Sequence, residues 1–409
     1  MDEPTYKNAE RLLKIGFDGA ALANRRGFGR FARGILSGLA ATNPGFELHV
    51  VIDEPSSDAV KLPESVQKQV VPLSRSQAQA ASAKGNRSGN ELWAMSRAVA
   101  AMGFDLYYFP SSFTYFPLMP WQKSIVTFHD TLAVDRPDLV FPTRQGRWFW
   151  WMKEQAARWN TSRMTTVSAT SRRDLARFFH TSESAIGLLT EGVDPVFLSD
   201  ESQLPNYTEL LTTFGLQPSE PYWLYVGGLS PHKNLLRLVE AFASLPPESG
   251  KLLLVGDFSD NFHTHVPEIR AKIEAEGLSS RVILTGFVPD DRLAILYRQA
   301  KGVVLPSLWE GFGLPAAEAM ASGTAVLHST AGSLPEVVGD AGLSFDPLDV
   351  NDLRQKWLSL IHNEELRSKL ANRGRERSQQ FRWEVAGRML WQEIEQTIAP
   401  KRHGSRWAG

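Results

Sequence analysis

The sequence predicts two α/β units, each a parallel β-sheet covered on both faces by helices. Short apolar, β-branched runs alternate with longer helical patterns throughout. The chain has 409 residues, more than one ordinary core takes, and divides naturally into two domains of about 150 to 200 residues. The strand candidates fall into two groups, separated by a polar, proline-containing stretch at 192–218 that reads as the inter-domain connection and hinge.

The first strand, over 14–19, runs into a glycine-flanked loop and then a helix reaching residue 39. This stretch does not match GxGxxG, so it is no dinucleotide fingerprint. Gly27 and Gly29 let the loop fold over a phosphate held by the facing domain; the alternative is a surface turn with Arg25 and Arg26 in water. Strands over 47–53 and 66–73 follow, then "SRSQAQAASAKGNRSGN" (74–90), small, polar and basic, which reads as a loop of the first domain. The strands over 105–111 and 123–130 are apolar, and the second ends in His129 and Asp130. A polar pair there faces a ligand cleft or forms a structural His–Asp pair. Residues 144–164, "RQGRWFWWMKEQAARWNTSRM", interleave Trp148, Phe149, Trp150, Trp151 and Trp159 with Arg144, Arg147, Lys153, Arg158 and Arg163. Aromatics favour a membrane interface and cations its lipid head groups, so peripheral membrane contact competes with a packed core helix. Strands over 164–169 and 186–189 complete the first unit.

In the second unit, a strand over 222–227 runs into Gly227-Gly228 and a helix beginning near His232. The glycines permit close approach, and Lys233 sets a cation where a diphosphate would lie. After strands over 251–257 and 281–286, "KGVVLPS" gives a buried strand over 302–306, and "WEGFGLPAAEAMASG" (309–323) leads from it into a helix. Pro315 suits the first helical turn and Gly323 the end. Glu310 therefore sits in the strand-to-helix turn, with Glu318 about one turn inside the helix. Gly311 and Gly313 admit a ligand, the free N–H groups at the helix start favour an anion, and two carboxylates can accept from hydroxyls at two points of one ligand. A phosphate-linked sugar fits that description. The alternative is a solvated turn residue and an exposed helix residue. A last strand is expected over 324–329.

Composition narrows the function. Net charge is −1, with 23 Lys and Arg against 20 Asp and Glu in residues 1–200, so no bulk attraction to nucleic acid is expected. There is no cysteine, which excludes disulfides, thiol catalysis and thiolate zinc. The start is polar with no signal pattern, and no apolar run approaches the roughly 18 residues of a membrane span, so a cytoplasmic protein, at most peripheral on a membrane, is expected. No zinc spacing surrounds His129, and His263 and His265 lie in a polar loop. No Asp-x-Asp pair occurs, and metal independence is expected.

With these stretches placed, the chain resembles the family 4 retaining glycosyltransferases of GT-B fold. The E-x7-E element, Glu310 to Glu318, is the most specific match. "GFGRF" (27–31), "TFHD" (127–130), "VSATSRRDL" (167–175), "EGVDPVF" (191–197), "GGLSPHKNL" (227–235), "GFVPDDRLAILYRQA" (286–300) and "GSLPEVVGDAGL" (332–343) follow in family order. The resemblance implies two Rossmann-like doubly wound domains facing across a cleft. An acceptor-binding domain over 1–200 would face a donor-binding domain over 201–380, with a helix over 381–398 crossing back to the first.

It further implies that Glu318 binds the nucleotide ribose and Glu310 the donor sugar near the reacting carbon. Lys233 would hold the diphosphate, Gly29 would close over it beside Gly27, and the amides near Gly313 and Leu314, flanked by Gly311 and Phe312, would touch sugar or phosphate. His129 would lie beside the donor sugar, and residues near Val288 against the base. Glu310, His129 and Lys233 are the residues expected to act in catalysis. Family members often carry an arginine five residues before the lysine; here Gly228 stands there. Either Arg25, Arg26 or Arg30 completes the diphosphate site, or Lys233 and backbone amides suffice.

Cleaving a sugar–phosphate bond builds positive charge on the anomeric carbon and negative charge on the diphosphate. Retention would follow from attack on the leaving-group side or through an adduct on Glu310. The "TFHD" and "GSLPEVVGDAGL" forms resemble the mannosyltransferase branch, which implies GDP-mannose as donor, with UDP-glucose or another nucleotide sugar as the alternative, no cofactor, and a saccharide or polyprenyl-diphosphate-linked acceptor. A nucleotide-sugar epimerase, a phosphorylase and a non-catalytic sugar-nucleotide binding subunit are the rival readings.

Overall fold

The computed structural model describes residues 11–24, 27–42, 45–77, 88–141, 143–199, 207–217, 219–258 and 264–399. Arg25, Arg26, His263 and parts of the expected 74–90 loop and 192–218 connector lie outside them.

The first sheet has seven parallel strands: β1 (Leu13–Asp18), β2 (Phe46–Asp53), β3 (Val66–Val71), β4 (Leu106–Phe109), β5 (Ser124–Thr127), β6 (Arg163–Thr166) and β7 (Ile186–Leu188), in the order β3-β2-β1-β4-β5-β6-β7. The second has six: β8 (Tyr222–Val226), β9 (Lys251–Val255), β10 (Val282–Gly286), β11 (Gly302–Leu305), β12 (Val326–Ser329) and β13 (Gly342–Phe345), in the order β10-β9-β8-β11-β12-β13. In each sheet the order reverses once, between β1 and β4 and between β8 and β11. Such a reversal opens a crevice at the carboxyl ends of its two strands. The central strands β4, β5, β8 and β11 are buried at every position, as a sheet covered on both faces requires.

The expected strands match to within about three residues at either end, and two differences remain. Pairing in β4 and β5 stops before Pro110 and Phe128, so His129 and Asp130 lie in the loop beyond the strand end, where they face the cleft. β13 has no counterpart among the expected strands. It is an edge strand with one buried residue, Phe345, and shows no apolar run.

The helix Trp383–Ile398 crosses back and lies along the helix Gly27–Ala41. Glycine makes this packing close: a Cβ on Gly38 would stand 1.9 Å from the Trp383 carbonyl oxygen. The helix is tied down by Arg163, whose Nε donates to Glu393 at 2.7 Å, and by Lys123, whose Nζ donates to the carbonyls of Thr397 and Ile398. Among the described residues no helix is long and apolar enough to cross a membrane.

Candidate active site

The turns after β8 and β11 flank the reversal in the second sheet and build one wall of a cleft. After β8, Pro231–Lys233 forms a short 3-10 turn, and Asn234 takes the left-handed conformation (φ 60°), which asparagine tolerates better than most residues. The helix therefore begins at Leu235, three residues later than expected from His232. The Asn234 side-chain amide donates to the carbonyls of Pro306 and Pro347, and Leu308 N–H donates to the His232 carbonyl at 2.8 Å. These bonds lock the Lys233 turn against the end of β11.

Lys233 and Glu310 consequently meet. Lys233 Nζ lies 2.8 Å from Glu310 Oε1, and Ser307 Oγ donates to the same oxygen at 2.7 Å. Ser333 Oγ donates to the backbone carbonyls of Glu310 and Phe312, fixing the turn from below. Gly313 (φ 96°) reverses the chain so that the helix Leu314–Ala321 starts with its N-terminus toward the cleft. Pro315 has no N–H, so the amides of Gly313 and Leu314 are the first donors offered there.

Glu318 is 1% exposed. Its Oε2 accepts from Tyr297 Oη at 3.0 Å, and its Oε1 pairs with Arg30 of the facing domain. Burial pushes the Glu318 carboxyl up to about 7, helped by Asp290 and opposed by Arg30 and the Tyr297 hydroxyl. Burial works against the Arg30 charge, yet Glu318 and Asp290 outweigh it and hold that pKa above its usual value.

The opposite wall comes from the first domain. His129 is 9% exposed; its Nε2 donates to the Pro110 carbonyl at 3.0 Å, and its Nδ1 stands 3.7 Å from Glu191 Oε1. The rings of Phe28 and Phe31 meet it edge-on. Asp130 accepts from Leu132 N–H; burial raises its pKa, against that hydrogen bond, His129 and Lys233. Its other oxygen faces Gly311, where a Cβ would come within 3.2 Å of it and 2.6 Å of the His129 carbonyl oxygen. Gly311 is small because the two domains meet there. Gly29 is small for a related reason, since a Cβ would run into the Asn24 carbonyl.

Two further contacts cross the cleft. Ser168 and Ser171 hydroxyls donate to the Gly311 carbonyl at 2.7 and 3.0 Å. Glu336 accepts from the N–H groups of Ala169 and Thr170, capping the helix Ala169–Phe178 from the other domain.

The cavity between the walls has a volume of about 400 Å³. Gly27, His129, Gly228, Lys233, Val288, Glu310, Gly311, Phe312, Gly313 and Leu314 line it. Gly29 and Glu318 lie behind the lining, Glu318 reached through Arg30. A Cβ at Gly228 would meet Ser230 Oγ at 3.6 Å, an ordinary contact, and Arg30, one of three cations expected to complete the diphosphate site, is engaged instead by Glu318 and Asp290. Sequence reasoning assigned no role to Asp290 or Glu191; both lie inside stretches it matched, with nothing in spacing to mark them. Trp150 turns to the cavity against Phe113 and Phe141, while Trp148, Phe149, Trp151 and Trp159 on the same helix Arg144–Asn160 are exposed.

Two parallel-sheet domains, each reversing its strand order at the cleft and joined by a returning C-terminal helix, define the GT-B glycosyltransferase fold. Residues 208–377 match the model of the family described as glycosyl transferases group 1. The chain belongs to that family, in its family 4-like, mannosyltransferase-like group. It is 38% identical over 167 residues to O-antigen chain mannosyltransferase B of Escherichia coli, covering 40% of this chain and 42% of that one. It is 30% identical over 294 residues to MMP alpha-(1->4)-mannosyltransferase of Mycolicibacterium hassiacum, covering 67% and 66%. The structure of Anabaena HepE in complex with UDP-glucose superposes with a TM-score of 0.72 at 18% identity, covering 94% of this chain and all of that one. The chain spans between about a third and two thirds of the length of the curated relatives it matches.

Proposed function

We propose that this protein transfers a mannosyl group from GDP-mannose, with retention and without a metal ion, to a saccharide or polyprenyl-diphosphate-linked saccharide in polysaccharide assembly. The observation that carries the reading is the Lys233–Glu310 pair, set at the strand-order reversal beside a helix N-terminus and roofed by the facing domain. The mannosyl part is supported by the two mannosyltransferase relatives.

In the mechanism we propose, the donor diphosphate lies against Lys233 and the amides of Gly313 and Leu314. These stabilise the negative charge that develops as the sugar–phosphate bond breaks. Glu310, held by Lys233 and Ser307, faces the anomeric carbon and offsets its positive charge, while Glu318 accepts from the ribose hydroxyls. Residues 1–200 bind the acceptor, residues 201–380 the donor, and the 192–218 connector is the hinge. The cross-cleft bonds of Ser168, Ser171 and Glu336 support a closed state that keeps water from the donor.

The cytoplasmic side of a membrane is the proposed location. Support comes from the exposed aromatics of the helix Arg144–Asn160, which adjoin the cavity at Trp150 and suit an acceptor presented at an anionic lipid surface.

The test is product analysis with purified protein in EDTA, GDP-mannose and polyprenyl-diphosphate-linked saccharides. An α-linked mannosyl product is expected, the donor's anomeric configuration kept. A β-linked product, or transfer only from UDP-glucose, would contradict the stereochemistry or the donor respectively.

A further inference from the structure

Among the side chains that join the two domains, Arg30 alone of those described pairs with two carboxylates at once. Arg30, on the first-domain helix Gly27–Ala41, directs Nη1 to Glu318 Oε1 and Nη2 to Asp290 Oδ1, both on the second domain. The Phe197 ring lies 5.7 Å from its guanidinium carbon. Glu318 is thereby held at both oxygens, by Arg30 from across the cleft and by Tyr297 from its own domain. An ionised carboxylate has about four acceptor sites, so these two bonds leave roughly half of them, behind the cavity lining at Arg30. A ribose diol needs two.

We propose that Arg30 is a positioning residue for the donor: it orients Glu318 from the facing domain, so that the ribose-binding carboxylate is complete only when the two domains are together. This rests on the nucleotide-sugar reading above and adds to it a coupling between domain closure and nucleotide recognition. The charged and titratable groups facing Glu318 are Arg30, Asp290, Asp194 and Tyr297. Burial and the two aspartates favour the protonated form; Arg30 is the one cation among them and works the other way, with the Tyr297 hydroxyl in support. Without Arg30 the carboxyl takes up a proton at higher pH, and one of its acceptor oxygens becomes a donor that a ribose hydroxyl meets less well. Arg30 reaches both carboxylates because its planar guanidinium presents two N–H groups at once; a lysine ammonium keeps the charge without that geometry.

The experiment is calorimetric titration of the full chain with GDP, in EDTA, at pH 6, 7, 8 and 9, for the wild type, Arg30→Ala, Arg30→Lys and Glu318→Gln. Arg30→Ala is expected to weaken GDP binding about tenfold at pH 7, the scale of losing one charge-assisted contact. That deficit should shrink toward pH 9 as Glu318 ionises. Arg30→Lys should fall between wild type and alanine with a smaller pH dependence, and Glu318→Gln should bind weakly at every pH. A deficit in Arg30→Ala that is constant with pH, or no deficit at pH 7, overturns the proposal while leaving the donor site standing. The wild type is also titrated with UDP and ADP; if it binds none of the three nucleotides, the nucleotide-sugar reading fails and this inference fails with it. Thermal unfolding of each variant separates loss of fold from loss of binding, and Arg30→Lys keeps the test decisive if the alanine variant is unstable.

Discussion

Lys233 Nζ and Glu310 Oε1 lie 2.8 Å apart, joined across the point where the strand order of the second sheet reverses. The cation comes from the turn after β8 and the carboxylate from the turn after β11, with 13–17% of each side chain exposed. A pair this sheltered holds each partner in one place, and a bound diphosphate would share the lysine with the glutamate.

Lys233→Ala removes the charge that we propose faces the leaving group, and leaves Glu310 with Ser307 alone. Transfer is expected to fall by about 100-fold or more in kcat/KM. Stability should fall by about 2 kcal/mol, the scale of a hydrogen bond to a charged group. Steady-state kinetics and urea unfolding read the two effects separately, and an activity loss no larger than the stability change explains would remove Lys233 from the chemistry.

Gly311→Ala tests closure. Its Cβ would stand 2.6 Å from the His129 carbonyl oxygen, a contact between domains and not within one. Each domain should fold normally while the cleft opens. The expected result is an increased radius of gyration by small-angle scattering with little change in unfolding midpoint, and donor turnover down by about tenfold or more. An unchanged radius with full activity would show that the domains accommodate the methyl group.

Much of this arrangement is legible in the sequence, because buried parallel strands read as apolar runs and the glycine-rich turns stand at their ends. Twelve of the thirteen strands follow from that pattern; β13 does not, because an edge strand with one buried residue carries no apolar signal. Glu310, Lys233 and His129 can be placed at the cleft for the same reason, each lying in a turn that follows a strand. What sequence cannot give is pairing across the cleft. Nothing in spacing says that Arg30 meets Glu318, 288 residues away, or that Gly311 is small to admit the His129 backbone and not only a ligand.

Glu318 should make stability depend on pH. Its carboxyl titrates near 7 in the folded protein against 4.5 as an ordinary glutamate, mainly because it is buried. The folded state thus holds a proton that the unfolded chain releases between those values. The stability this group contributes is full below about pH 4.5 and is lost as pH rises to about 7, on the order of 3 kcal/mol. Glu318→Gln should lack this component, so urea unfolding at pH 5 and pH 8 should show a larger drop in the wild type than in the variant. Equal drops would place Glu318 as an ordinary ionised carboxylate.

Gly38→Ala should loosen the returning helix, since the new methyl group would overlap the Trp383 carbonyl. A loss of about 1–3 kcal/mol is expected from overpacking, read as a lower Tm. No change in Tm would mean that the helix Trp383–Ile398 contributes little to the first domain.

The helix Arg144–Asn160 should bind anionic vesicles. Trp148 is 56%, Phe149 61% and Trp159 74% exposed. Replacing the three with alanine should abolish co-sedimentation with phosphatidylglycerol vesicles while sparing GDP binding. Unchanged co-sedimentation would place the membrane contact elsewhere or remove it.

Release of GDP from GDP-mannose, in EDTA and with a lipid-linked saccharide acceptor, by the wild type and by Glu310→Gln, tests the role of the Glu310 carboxylate in transfer. Acceptor-dependent release by the wild type, reduced by about 100-fold or more in the variant, is the predicted result. Release that proceeds equally in both would contradict it, because the carboxylate that Lys233 and Ser307 hold in the cleft would then take no part in transfer.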